Sequence, residues 1–171
     1  MPKNVYNNVV DHRIIDNKRV VEDVTSVTLP SIEFDSTTID VAGLTGTVDM
    51  PNTYKVKAMT AEIAHNNGTN TDRLTDPGLH TLEIRLARQR YITNKATMNH
   101  ESVKYRITGY HTSTNDGRVQ TGNPLGGTEK FNVLRFEKIV NGKTAVKVDV
   151  MAGSLEFNGK SEVSGIQKLL E

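Results

Sequence analysis

Five histidines, His12, His65, His80, His100 and His111, are the residues most able to supply acid, base or metal chemistry in this chain. A helical zinc site would need two imidazoles four residues apart with a glutamate beside the first, and no His-Glu-x-x-His occurs. His100 and Glu101 are adjacent, but neighbouring side chains of an extended chain point to opposite faces, so they form neither a metal pair nor an acid–base pair. Each histidine is therefore expected at the surface or at an interface. Gly122 to Thr128 is rich in glycine yet lacks the Gly-Lys-Ser/Thr ending that holds phosphates, and it reads as a loop. Gly153-Ser154 lacks the Gly-x-Ser-x-Gly spacing of a nucleophile elbow. With no cysteine, thiol nucleophiles, disulfide frameworks and cysteine-ligated zinc are excluded. The pattern asks for no catalytic residue, no metal and no cofactor.

Bulk composition narrows the remaining classes. A length of 171 residues fits one domain, spanning 1–171, that can bury a core unaided. Basic and acidic residues number 21 and 20, so the net charge of +1 lacks the footprint of a DNA-binding domain. The absence of tryptophan and an aromatic content of 5% argue against a sugar-stacking platform. Met1 to Arg13 holds no apolar run of signal-peptide type, and no stretch of about twenty apolar residues occurs, so no membrane partner is expected and a cytoplasmic product is. Asn67-Gly68-Thr69 matches a glycosylation sequon but reads as a turn.

The elements that must carry any site are mostly strands. Leu82, Ile84 and Leu86 alternate with Glu83 and Arg85, and Val103, Tyr105 and Ile107 alternate with Lys104, Arg106 and Thr108, the period-two pattern of half-buried strands. From Tyr54 to Ile63 the apolar parity switches, which predicts a strand with a bulge near Ala58, or a helical end there. Phe131 to Val150 holds two alternating runs about Asn141-Gly142, and a three-residue loop of Val140-Asn141-Gly142 would set Phe136 against Val146 and Leu134 against Val148. Asn158-Gly159 marks a further turn, and Ser164 to Glu171 suits a final helical turn through Ile166, Leu169 and Leu170. His65 to Gly78 reads as an irregular segment with a short helix around Thr71 to Leu74, and Ser113 to Thr128 as an exposed connection. One all-β domain with a minor helix follows.

Val27-Thr28-Leu29-Pro30, then a polar extended run, then Ala42-Gly43-Leu44-Thr45-Gly46 resembles the front third of the major tail tube protein of contractile phage tails and phage-tail-like bacteriocins. The back half is similar too, with Asn141-Gly142-Lys143 at a turn, Val148-Asp149-Val150 on a strand and Leu155 to Lys160 as the closing segment. The family often places an amphipathic helix where this chain has the weakly helical stretch from Thr69 to Gly78. The resemblance implies a β-sandwich or barrel-like fold with one short helix and an extended β-hairpin arm, about 28–50, assembled as hexameric rings. Those rings would stack into a hollow tube inside a contractile sheath, and the tube would be the conduit for DNA ejection.

What such a subunit needs can be placed on residues. Ser31 to Val41 has too few large apolar side chains for a core strand throughout, and pairing with a neighbour would cover its edge. Thr28, Leu29, Pro30, Ile32, Phe34, Gly43, Leu44 and Gly46 are the expected inter-subunit arm, with Gly43 and Gly46 permitting a sharp reversal; an internal hairpin with the same glycines is the alternative. A bore lined with lysines would hold passing double-stranded DNA, so a neutral to acidic lining is expected from Glu33, Asp35, Asp40 and Asp49. Glu33 and Asp35 share a strand face whereas Asp40 has the opposite parity. Arg85, Arg88, Arg90, Lys95, Lys104 and Arg106 suit subunit interfaces or an outer surface facing an acidic sheath. The partners implied are the chain itself, a sheath protein, a tape measure protein, baseplate or tail initiator and terminator proteins, and DNA in transient, non-specific passage. The location implied is the virion tail, assembled in the bacterial host cytoplasm. Two other readings stand beside this one: the inner tube of a DNA-free bacteriocin or injection system, and a monomeric β-sandwich binding module.

Overall fold

Two adjacent rows of residues show why this chain makes a sheet with one wet and one dry face. Across β7 (Leu79–Ile92), β8 (Thr97–Asn115), β9 (Gly127–Val140), β10 (Lys143–Asp149) and β11 (Ser154–Phe157), Leu82, Ile107, Phe136, Val148 and Leu155 stand opposite one another, and all are buried. One residue along each strand, Glu83, Arg106, Glu137, Lys147 and Glu156 make the neighbouring row. Successive side chains of a strand alternate faces, so the first row turns into the core and the second toward water. Each buried aliphatic or phenyl side chain contributes roughly 1.5–3 kcal/mol from water exclusion.

The computed structural model describes residues 4–43 and 45–170. Ten antiparallel strands form one sheet. Its main path runs β12 (Lys160–Ser161), β11, β10, β9, β8, β7, β1 (Asn4–Asp16) and β2 (Arg19–Val21). The path branches at β9, which has β8 along one edge and shares the other between β6 (Met59–His65), on Gly127–Val133, and β10, from Arg135 onward. β3 (Val24–Thr28) extends the branch by pairing with β6. The branch folds over, so that Val27 and Leu29 face Ile84, Leu86 and Val103 across an apolar groove. Ile14, Ile63, Leu74 and Phe131 fill the centre of the core. The all-β expectation holds, and the sheet stays open, ending on β2 and β12, where a barrel would close.

Local details depart from the sequence expectations in instructive ways. The Asn141-Gly142 turn is a two-residue loop, with Val140 opposite Lys143 and both turn residues at positive φ, 48° and 79°. The register is corrected afterwards by a bulge between Thr144 and Val146, so Phe136 meets Val148, not Val146. Apolar residues face each other as the pattern demands, but the extra residue sits in the strand and not in the loop. The parity switch between Tyr54 and Ile63 marks a break between two strands, since β5 (Val48–Val56) ends before β6 begins and belongs to a different sheet. A five-residue 3-10 turn, Thr71–Thr75, occupies the weakly helical segment, and α1 (Ser164–Leu170) ends the described chain. The exposed connection is shorter than expected, because β8 runs to Asn115 and β9 starts at Gly127. Gly109 is needed where β8 crosses β9, since a Cβ there would lie 2.3 Å from the Asn132 carbonyl oxygen.

Candidate assembly site

A ribbon projects from this sheet. β4 (Phe34–Ile39) pairs with β5 alone, Thr37 opposite Met50, Thr38 opposite Asp49 and Ile39 opposite Val48. Alternation puts Ile39, Val48 and Met50 on one face and Ser36, Thr38, Asp49 and Pro51 on the other. The apolar three are 38%, 47% and 52% exposed, and among the described residues no other element packs broadly against them. At the root, Pro30 is buried, Leu29, Ile32 and Phe34 are half-buried against the core, and the Phe34 ring meets Phe157 edge-on at 6.2 Å. Thr28 is exposed at the end of β3. Thus Leu29, Pro30, Ile32 and Phe34 anchor the ribbon to its own chain, while the stretch beyond Asp35 is the part that reaches outward. Gly43, at φ 105°, supplies the reversal; Gly46 has open space around it and no left-handed requirement, and Leu44 lies outside the described residues.

The four candidate carboxylates all belong to this ribbon, but the structure does not collect them on one face. Glu33 lies 3.9 Å from Lys57 and accepts from the Ser31 hydroxyl at 3.4 Å; Asp35 lies 3.3 Å from Lys55. Asp49 accepts from the Thr38 hydroxyl at 2.6 Å on the polar face, opposite by parity to Asp35. Asp40 is exposed just past β4.

The candidate cations lie on both sides of the sheet. Arg85, Lys104 and Arg106 surround Glu83 on the wet face, Lys104 at 3.7 Å and Arg106 at 3.4 Å, and Arg106 also reaches Glu137 at 3.4 Å. Burial pushes the Glu83 carboxyl up, but the Arg85 hydrogen bond and the Lys104 charge outweigh it and hold it below the ordinary range. Arg88 and Arg90 share the parity of Leu82, Ile84 and Leu86, so they continue the dry face past the core. Arg88 bonds the buried Glu101 and stacks on Tyr6 at 4.0 Å, and its hydrogen bond holds the Glu101 carboxyl low; the Asn141 side-chain amide donates to Glu101 at 2.9 Å. Arg90 Nε is buried without a hydrogen-bond partner among the described residues. Lys95 lies in the turn between β7 and β8.

Histidines depart furthest from expectation. His65 and His80 are each 3% exposed, and the His80 and His111 rings pack against Phe131 at 5.3 and 5.5 Å. Fully buried Glu129 accepts from His111 Nε2 at 2.6 Å and from the Thr114 hydroxyl at 2.9 Å, with His65 Nε2 3.6 Å from its other oxygen. His65 Nδ1 accepts from the Asn67 backbone amide at 3.1 Å. His80 Nδ1 lies 3.2 Å from the Asp16 carboxylate, and its Nε2 donates to the Asp76 carbonyl at 2.8 Å. Burial raises the Asp16 carboxyl, against the pull of His80. No sequence spacing signals this cluster, because β1, β6, β7, β8 and β9 each contribute to it. Its burial leaves no room for a substrate, and no group of three or more candidate ligands that could hold a metal occurs among the described residues. It ties the segment around the 3-10 turn to the sheet.

Two further surfaces stand open. From Asn4 to Arg13 no strand pairs with the second edge of β1 among the described residues, and Val5, Val9 and Val10 are about half exposed. The groove beneath Val27 and Leu29 has a volume of about 380 Å³. Nowhere among the described residues is a helix long and apolar enough to cross a membrane. A family model described as Phage tail tube protein FII matches residues 12–170, nearly the whole chain and both halves of the sheet. A search of curated proteins finds no match.

Proposed function

The chain belongs to the Phage tail tube protein FII family and is a structural subunit of a phage tail tube, and on that premise we propose that it closes into hexameric rings that stack inside a contractile sheath. The observation that carries this reading is the ribbon: a two-stranded element with an exposed apolar face is marginal in water by itself and becomes stable when another surface covers it. The long unpaired edge of β1 gives the same subunit a second place to meet a neighbour. A head-to-tail contact that closes makes a ring, and one that does not close makes a filament, so a subunit with both grows as stacked rings. Tape measure, baseplate or initiator and terminator proteins would set length and ends, and assembly would take place in the bacterial host cytoplasm.

Within the tube, Asp49, on the polar face of the ribbon with no lysine beside it among the described residues, is the proposed lining of a bore through which DNA passes. Glu33 and Asp35, each already beside a lysine, add less field to that lining. A duplex slides where phosphates find no cations to hold them. Negative-stain electron microscopy of the purified protein over a concentration series tests the assembly. Rings or hollow tubes with a stain-filled bore are expected; particles that stay monomeric at every concentration, with and without tail initiator, would overturn it.

A further inference from the structure

The groove and the ribbon are complementary parts that do not meet within one chain. The groove continues the core past its last filled layer: Ile84, Leu86 and Val103 floor it, Val27 and Leu29 wall it, and Val9, 53% exposed, stands at its mouth. An unfilled apolar surface loses the contacts that a packed interior would make. The ribbon presents Ile39, Val48 and Met50 together with Thr37 on one face, and Ser36, Thr38 and Asp49 on the other. The ribbon leaves the end of β3 at Leu29 and roots on Phe157 of β11, whereas the floor of the groove belongs to β7 and β8 and its mouth to β1, elements against which β4 and β5 do not pack broadly.

Charge agrees with apolarity. Past Leu86 the dry face carries Arg88 and Arg90, with Glu101 bonded to the first and the Nε of the second without a partner among the described residues. The exposed tip of the ribbon carries Asp40. Seating the ribbon with Ile39 and Val48 over Leu86 would bring that carboxylate toward Arg90, whose Nε has no hydrogen-bond partner among the described residues. We propose that the apolar face of the ribbon of a second copy of this chain seats in the groove between β3 and the β1–β7–β8 sheet. This rests on the tube-subunit reading and names the receptor for the ribbon. Two different surfaces of the subunit meeting, ribbon face on one and groove on the other, is what a heterologous contact requires. Asp49 and Thr38 then face away from the neighbour.

Because the chain has no cysteine, introduced thiols report the contact directly. Met50→Cys and Val9→Cys are made as separate proteins, both at exposed positions that leave the core intact, and Ser102→Cys on the wet face serves as control. Equal mixtures are oxidised at assembling concentration and run on a non-reducing gel. The Met50→Cys and Val9→Cys mixture is expected to give a covalent dimer, and the Met50→Cys and Ser102→Cys mixture none. Val48→Ser with Met50→Ser is expected to raise the concentration needed for assembly by on the order of tenfold, as lost apolar burial dictates. Tubes that form while Met50→Cys fails to join Val9→Cys, or joins Ser102→Cys equally, overturn the groove as receptor and leave the tube reading standing. Failure of the unsubstituted protein to form rings or tubes overturns both.

Discussion

Glu129→Leu removes the buried carboxyl group that accepts from His111 and Thr114 and stands beside His65, and its cost can be worked from the geometry. His111 Nε2 and the Thr114 hydroxyl lose an acceptor at 2.6 and 2.9 Å, and His65 Nε2 loses the charge 3.6 Å away, all around a side chain with no solvent exposure. Leaving a buried hydrogen-bonding group without its partner costs about 1–3 kcal/mol, and more for a charged one, so the loss of this acceptor should cost about 3–5 kcal/mol in all. With a urea slope of about 2 kcal/mol/M, the unfolding midpoint should fall by roughly 1.5–2.5 M. The assay is urea denaturation followed by far-UV circular dichroism, the chain having no tryptophan, at a concentration where sedimentation shows no assembly. Thr114→Val, which removes one donor and leaves the imidazole in place, should lose about 1 kcal/mol. Replacing His111 by Leu as well as Glu129 should return part of the loss. A Glu129→Leu midpoint within about 0.3 M of the parent, at unchanged slope, would refute the view that this carboxylate holds the cluster together.

Three other outcomes are expected. Glu101 is held low chiefly by the Arg88 hydrogen bond, so its contribution is present above the ordinary glutamate range and lost as pH falls through its lowered folded value; Glu101→Gln should be less stable at neutral pH and flatter as pH falls below the ordinary glutamate range, read by thermal melts across a pH series. Phe34→Ala should loosen the ribbon at its root, costing up to about 3 kcal/mol and raising hydrogen exchange in β4 and β5 without affecting β7 to β9. Gly142→Ala forces a side chain into φ 79° and should lower the melting temperature by the equivalent of about 1 kcal/mol, whereas Gly46→Ala, with open space and no such φ, should change it little.

Rows across the sheet were legible because period two is a local property: Leu82, Ile107 and Phe136 declare their face from their own neighbours. Which row faces which was only partly legible. Alternation demands that Phe136 meet an apolar residue of β10, and both Val146 and Val148 satisfy it; the bulge after Thr144 decides, and nothing in its residue types forces it there. The ribbon was visible as a stretch too poor in large apolar residues to be core, but its amphipathic character needed the pairing of Ile39 with Val48 to appear. The histidine cluster was invisible for a stronger reason. His65, His80, His111 and Glu129 are surface-type residues by frequency, and only the crossing of four strands at Phe131 brings them to one buried place.

The wet row has a consequence for how anything finds this face. Glu83, Arg106, Glu137, Lys147 and Glu156 alternate in sign from strand to strand, and Arg85 and Lys104 lean on the same Glu83. Seen from more than about 10 Å, beyond the screening length of ordinary buffers, such a row is nearly a dark surface: its plus and minus charges cancel before they reach a visitor. Any protein surface approaching there feels no pull until its own side chains can slip between the pairs and exchange partners one for one. Recognition of that kind is slow to begin and indifferent to salt, and it rewards shape that repeats at the spacing of the strands.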